Sequence, residues 1–199
     1  TTEIYTLSLH DALPICTKMY PNLINMLESP FITQETKAEI KQVLEALGQK
    51  ASTGIKLLTD EFVKIARTKN IPLYYDNEYG VDADIFNWLP NAIVTETPPP
   101  TGVWKQVDTK NGTNEKTMQE TAVKMSLSQA IVKFTEMLKN GDFDKSETHR
   151  IIFLTETKNG NPLRLICRRS SGGKLNLYVN DVNPAYVWYD ADDAWFSSN

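Results

Sequence analysis

Three runs in the last third of the chain, HRIIFLTET (149–157), PLRLICRRS (162–170) and KLNLYVNDV (174–182), leave the helical period for a period near two, which the second and third show in their alternation. A period of two over nine residues suits a half-buried strand and not a helix. The runs are joined by KNGN and SGG, short glycine-containing links of the hairpin type. They predict a three-stranded antiparallel meander over 148–182. Alternation assigns its faces: Leu163, Leu165, Cys167, Leu175, Leu177 and Val179 point one way. Arg164, Ile166, Arg168, Asn176 and Tyr178 point the other. The first face should pack on helices and the second should meet solvent.

The preceding sequence has the helical period. YPNLINMLESPF predicts a short helix ended by Ser29-Pro30. Thr33 is a good N-cap for the next, in which Ile40, Val43, Leu44 and Leu47 form an i, i+3, i+4, i+7 stripe before Gly48. A third stripe, Leu58, Phe62, Ile65 and Ala66, widened by Leu57, ends at Pro72. Two adjacent amphipathic helices with a short link predict an antiparallel hairpin. Residues 114–139 predict one long helix through Met118, Ala122, Met125, Ile131 and Phe134, closed by Asn140-Gly141. Residues 71–113 are turn-rich and irregular, with a helical turn at DADIFNWL and short strands at AIVTE and GVWKQV. The predicted class is α+β, with N-terminal helices followed by the antiparallel sheet.

The first fifteen residues, TTEIYTLSLHDALPI, fit neither period. Back-translated, they resemble, codon for codon, the forward adapter of Illumina sequencing libraries. The resemblance implies that residues 1–16 are non-native, Cys16 being the junction, and that the native start is missing. Residues 17–199 then form one α+β domain: helical 17–70, irregular 71–113, helix 114–139, sheet 148–182 and an acidic aromatic tail 183–199. His10, Asp11 and Cys16 drop out as chemistry. One histidine, His149, and one cysteine, Cys167, remain, too few for a Cys/His zinc site. Lone Cys167 excludes an internal disulfide and favours a reducing, cytoplasmic setting.

Setting aside Glu3 and Asp11 leaves 21 basic against 23 acidic side chains, a net −2 in place of −4. Bulk charge therefore makes no case for a general nucleic-acid binder. No apolar run approaches the length of a membrane span. The charge is unevenly spread. Residues 145–179 carry Lys145, Arg150, Lys158, Arg164, Arg168, Arg169 and Lys174 against Glu147 and Glu156, a local +5. Arg164, Arg168 and Tyr178 share the outer face, and Arg169 and Lys174 flank the turn. Guanidinium groups beside an aromatic ring suit phosphate contact and base stacking. These five residues predict a non-enzymatic binding protein whose partner is single-stranded nucleic acid or an acidic protein. A solvated sheet face with aggregation-resisting charges is the plain alternative. A structural module of a phage or mobile-element assembly is another.

An enzymatic alternative rests on Glu156-x-Lys158, with Asp142 and Asp144 upstream. The triplet resembles the PD-(D/E)xK nuclease pattern. That resemblance implies magnesium held by Asp144 and Glu156, with Lys158 assisting attack on phosphate. It departs from the pattern where Lys158 abuts the Asn159-Gly160 turn.

Other motifs fail on spacing. SSGGK lacks the full phosphate-loop pattern and leads into a strand. NGDFDKSET lacks the mid-loop glycine and the final glutamate of a calcium loop. Asp76, Glu78, Asp82 and Asp84 form an acidic loop. His149 has no nucleophile beside it in sequence, and Cys167 alternates inward as a core thiol. No metal or cofactor motif remains. The tail interleaves Tyr186, Trp188, Tyr189, Trp195 and Phe196 with Asp190, Asp192 and Asp193. It resembles in composition the acidic tails of single-stranded-DNA-binding proteins. So much aromatic area predicts packing on the domain.

Overall fold

The structure, a computed structural model, describes residues 29, 31–107, 114–186, 188 and 193–198. The adapter-like opening, Cys16 and nearly all of the first expected helix lie outside the described residues, as do Tyr189, Asp190 and Asp192 of the tail. The chain divides into two compact units, Thr1–Gly54 and Ile55–Asn199.

Helix α1 spans Gln34–Thr68. Thr33 caps it as expected, its Oγ1 accepting the Thr36 N–H at 3.3 Å. The expected helical hairpin does not form. The helix continues through Gly48, because an interior glycine costs only about 1 kcal/mol and stops a helix only when the next turn has another use for it. Within the first unit Ile40 is buried and Val43 is exposed.

In the second unit, Ile55, Phe62, Val63 and Ala66 enter the core, with Leu58 and Ile65 partly buried beside them. Leu57 faces solvent, 65% exposed, and does not widen the stripe. Asn70, at φ 55°, closes the helix ahead of Pro72. The Ile71 N–H reaches Ala66 O at 2.9 Å and the Asn70 N–H reaches Arg67 O at 3.0 Å. This is a Schellman ending with asparagine in the left-handed position.

The helix expected over 114–139 is two helices, α3 (Glu115–Thr121) and α4 (Leu127–Asn140). Ser126 starts α4 with a capping box. Its side chain accepts the Gln129 N–H, and the Gln129 side chain accepts the Ser126 N–H. The residues between the helices are used as sheet. The Val123 N–H bonds Ser197 O, and Met125 exchanges bonds with Phe153 O and the Thr155 N–H. Gly141 closes α4 at φ 89°. Helix α2 is the single turn Asp84–Trp88.

The expected three-stranded meander is overturned by a five-stranded mixed sheet. Strands β1 (Val103–Gln106), β2 (Thr148–Lys158), β3 (Asn161–Arg169), β4 (Leu175–Asp181) and β5 (Asp193–Ser198) lie in the order β1-β5-β2-β3-β4. β2, β3 and β4 pair antiparallel. β5 runs parallel to β2 and antiparallel to β1. The reason lies in β2 itself: Ile151, Ile152, Phe153 and Leu154 are all buried, so this strand is covered on both faces and belongs in the sheet interior. The expected tail supplies the missing neighbour. AIVTE forms no strand.

One sheet face carries Leu163, Leu165, Cys167, Leu175, Leu177 and Val179 against α1, α2 and α4. The other face is not an open solvated surface. Ile151, Phe153, Ile166, Ala194 and Phe196 form a second core with Met118 of α3, Val107, Val182 and Trp188. Residues 72–82 run along the free edge of β4. They bond Leu175 through Pro72 O and the Tyr74 N–H, and Leu177 O through the Asp82 N–H. This strap shields part of an edge that would otherwise be open to pairing.

Candidate functional site

The five residues expected to contact nucleic acid divide three ways. Arg164, at the centre of β3, is 7% exposed and forms an ion pair with Glu115 of α3, which is fully buried. The Asn183 N–H donates to Glu115 Oε2 at 2.8 Å, and the Glu115 N–H donates to Tyr186 O at 3.2 Å. Two rings cover the guanidinium, with centroids 6.0 Å (Tyr186) and 5.9 Å (Trp188) from its carbon. Burial pushes the Arg164 pKa down to about 10, so it remains a cation at neutral pH.

Arg169 flanks the turn as expected, on the inward side of β3 opposite Leu175. It ties the β3–β4 turn to the loop after α4, donating to Phe143 O at 2.8 Å, Asp144 O at 2.6 Å and Gly173 O at 3.2 Å.

Arg168 and Lys174 lie at the turn end of β3 and β4, and Tyr178 lies four residues further along β4, packed against the second core. Arg168 lies opposite His149 on one side and Asn176 on the other. Arg168 and Tyr178 are partly exposed and Lys174 is exposed. The strap adds Tyr74, 54% exposed, whose ring meets that of Tyr75 edge-on at 5.2 Å. Burial, then the charge and hydrogen bond of Asp82, push the Tyr75 phenol up to about 12, with Tyr74 and Tyr178 adding to the shift. The rim is thus a row of phenols, two cations and an amide. Sequence reasoning missed Tyr75, because the strap's position along β4 is set by backbone bonds with no motif.

The nuclease residues are not brought together. Asp144 follows the C-terminal end of α4 and pairs with Lys69 at 3.3 Å. Glu156 lies at the opposite end of α4, its Oε1 accepting the Leu127 N–H at 2.9 Å and its Oε2 the Thr155 hydroxyl at 3.1 Å. The helix between them has 14 residues, a length of about 20 Å. Lys158 Nζ stands 3.1 Å from the centre of the Trp88 ring. Among the described residues no group of three or more His, Cys, Asp or Glu is placed to hold a metal. The acidic loop is no exception; Asp82 Oδ1 accepts the Asp84 N–H at 3.1 Å.

His149 is buried with its ring 6.0 Å from Trp188. Cys167 is buried in the inner core, and burial pushes its thiol pKa well up, the wrong direction for a nucleophile. Among the described residues no helix is long and apolar enough to cross a membrane.

The chain matches no protein-family model, and no curated protein or solved structure is significantly similar to it.

Proposed function

We propose that this chain is a non-enzymatic binding protein that contacts single-stranded nucleic acid through the outer rim of β3 and β4. The observation that carries the reading is the placement of the partly exposed Arg168 and Tyr178 on the same side of the sheet, with the exposed Lys174 in the adjoining turn and Tyr75 and Tyr74 alongside. Cations next to phenol rings offer phosphate contact and sequence-tolerant stacking together. The candidate catalytic side chains favour the same side. Asp144, Glu156 and Lys158 each have another partner, at separate places.

The test is anisotropy of a labelled oligothymidine against salt. Each phosphate contact adds about 0.7 to the slope of log affinity against log salt. Arg168→Ala should flatten that slope, and Tyr178→Ala should cost about 1–3 kcal/mol of binding if its ring stacks on a base. Binding that ignores salt, or no binding, would overturn the nucleic-acid reading and leave an acidic protein as the partner to seek.

A further inference from the structure

Arg164 sits on the outer face of β3, four residues and about 13 Å from Arg168 along the strand. A guanidinium in line with the binding rim is withheld from it by this chain's own groups. Glu115 supplies the anion, and Tyr186 and Trp188 supply a cover of two rings.

The pair is incomplete. Glu115 Oε1 and Arg164 Nε are both buried with no hydrogen-bond partner among the described residues. A carboxylate and a guanidinium removed from water leave a large desolvation cost, offset only when every lone pair and proton is used. A backbone phosphodiester brings two non-bridging oxygens that a guanidinium can bind in a bidentate manner, whereas Glu115 Oε2 is shared with the Asn183 N–H and Oε1 has no partner among the described residues. The cover has a solvent-facing element, since Tyr186 is 37% exposed, and its ring packs edge-on against Trp188 at 5.4 Å. It is tied to Glu115 by the two backbone bonds from Asn183 and to Tyr186.

We propose that Arg164 is a latent phosphate site, with Glu115 as the internal anion and Tyr186 as the removable part of its cover. The inference rests on the nucleic-acid reading of the rim and extends it inward. Displacing the Tyr186 ring exposes Arg164 in line with Arg168, and a backbone phosphate takes the place of the Glu115 carboxylate.

The experiment uses the full chain, the same oligothymidine, and inorganic pyrophosphate as a second probe. Tyr186→Ala removes a partly exposed ring and leaves Trp188 and the backbone bonds of Asn183 and residue 186 to Glu115 in place, so the fold should persist. It should tighten oligothymidine binding about fivefold at 0.1 M salt and steepen the slope by about 0.7, the contribution of one further phosphate. Adding Arg164→Gln and Glu115→Gln together to that variant removes both charges at once and should abolish the gain. Salt-dependent binding by the parent chain with no change in Tyr186→Ala overturns the latent site and leaves the rim reading standing. A gain that survives the paired Gln substitutions also overturns it. If the oligothymidine binds neither protein, the rim reading fails. The latent site then stands only if pyrophosphate raises the melting temperature of Tyr186→Ala and not that of its paired Gln derivative; otherwise it fails too.

Discussion

Glu156 Oε1 accepts the backbone N–H of Leu127 at 2.9 Å. The carboxylate offered to a metal by an ExK triplet is therefore the anion at the start of α4, where unpaired N–H groups and the helix dipole favour it. Glu156→Ala should destabilise the fold by about 1–2 kcal/mol, the scale of a lost helix cap. Urea denaturation measures this directly. Magnesium should leave the melting temperature of the parent chain unchanged; a clear rise would revive the metal reading.

The Arg164–Glu115 pair makes a contrast between single and double variants. Glu115→Gln alone leaves a buried guanidinium uncompensated and should cost about 3–5 kcal/mol. Arg164→Gln combined with Glu115→Gln should cost markedly less than the sum of the two single changes. Additive costs in a double-mutant cycle would show that the two side chains do not act as a pair.

Gly141→Ala tests the end of α4. The residue sits at φ 89°, and an added Cβ would lie 2.7 Å from Asp144 Oδ2. A left-handed alanine costs about 1–2 kcal/mol, and the Asp144 side chain must also move. Equal midpoints for the two proteins in denaturant would refute this.

Tyr75 sets a pH dependence. Its pKa is raised in the fold from 10.0 to about 12, so the native state holds the proton more tightly than the unfolded chain. Its contribution to stability is complete below pH 10 and is lost as pH rises through about 12. An ultraviolet titration should show one phenol ionising well after the unfolded-chain value. Asp82→Asn should lower its midpoint only in part, because burial is the larger cause. Loss of that late step in Tyr74→Phe, with Tyr75 intact, would reassign it.

Cys167 is fully buried and its thiol is held protonated. Labelling by a thiol reagent should be slow in the native state and rapid in denaturant. Fast labelling of the folded protein would contradict the inward face assigned to Leu163, Leu165 and Cys167.

Alternation alone was enough to place Leu163, Leu165, Cys167, Leu175, Leu177 and Val179 on one buried face, because a strand's side-chain period leaves two choices and the apolar set fixes which. The partner of the opposite face was not legible. Nothing local in Arg164 marks Glu115 as its neighbour 49 positions earlier. Two signals were present in the sequence. Apolar residues at four consecutive positions of β2 exclude a strand with one wet face. The S-x-x-Q run from Ser126 to Gln129 marks a fresh helix start within an apparently continuous helical pattern. The site divides in the same way. Arg168 and Tyr178 follow from register, whereas Tyr75 arrives through the strap and Arg169, on the inward side of β3, is taken up by backbone carbonyls of the 143–144 loop.

Strand β5 stands between β1 and β2, and its partner Val103 is 95 positions from Ser198. β1 neighbours only β5 in the sheet, so it joins through the strand contact of greatest separation there. Contacts of such separation form late, because chain entropy is lost before they reward it. The amides of Lys105 and Val107, which point towards β5, should accordingly act as reporters of a segment about ninety residues away. Their exchange with solvent should track the opening of β5 and run ahead of exchange in the β2–β3–β4 hairpins, which are closed by turns of a few residues.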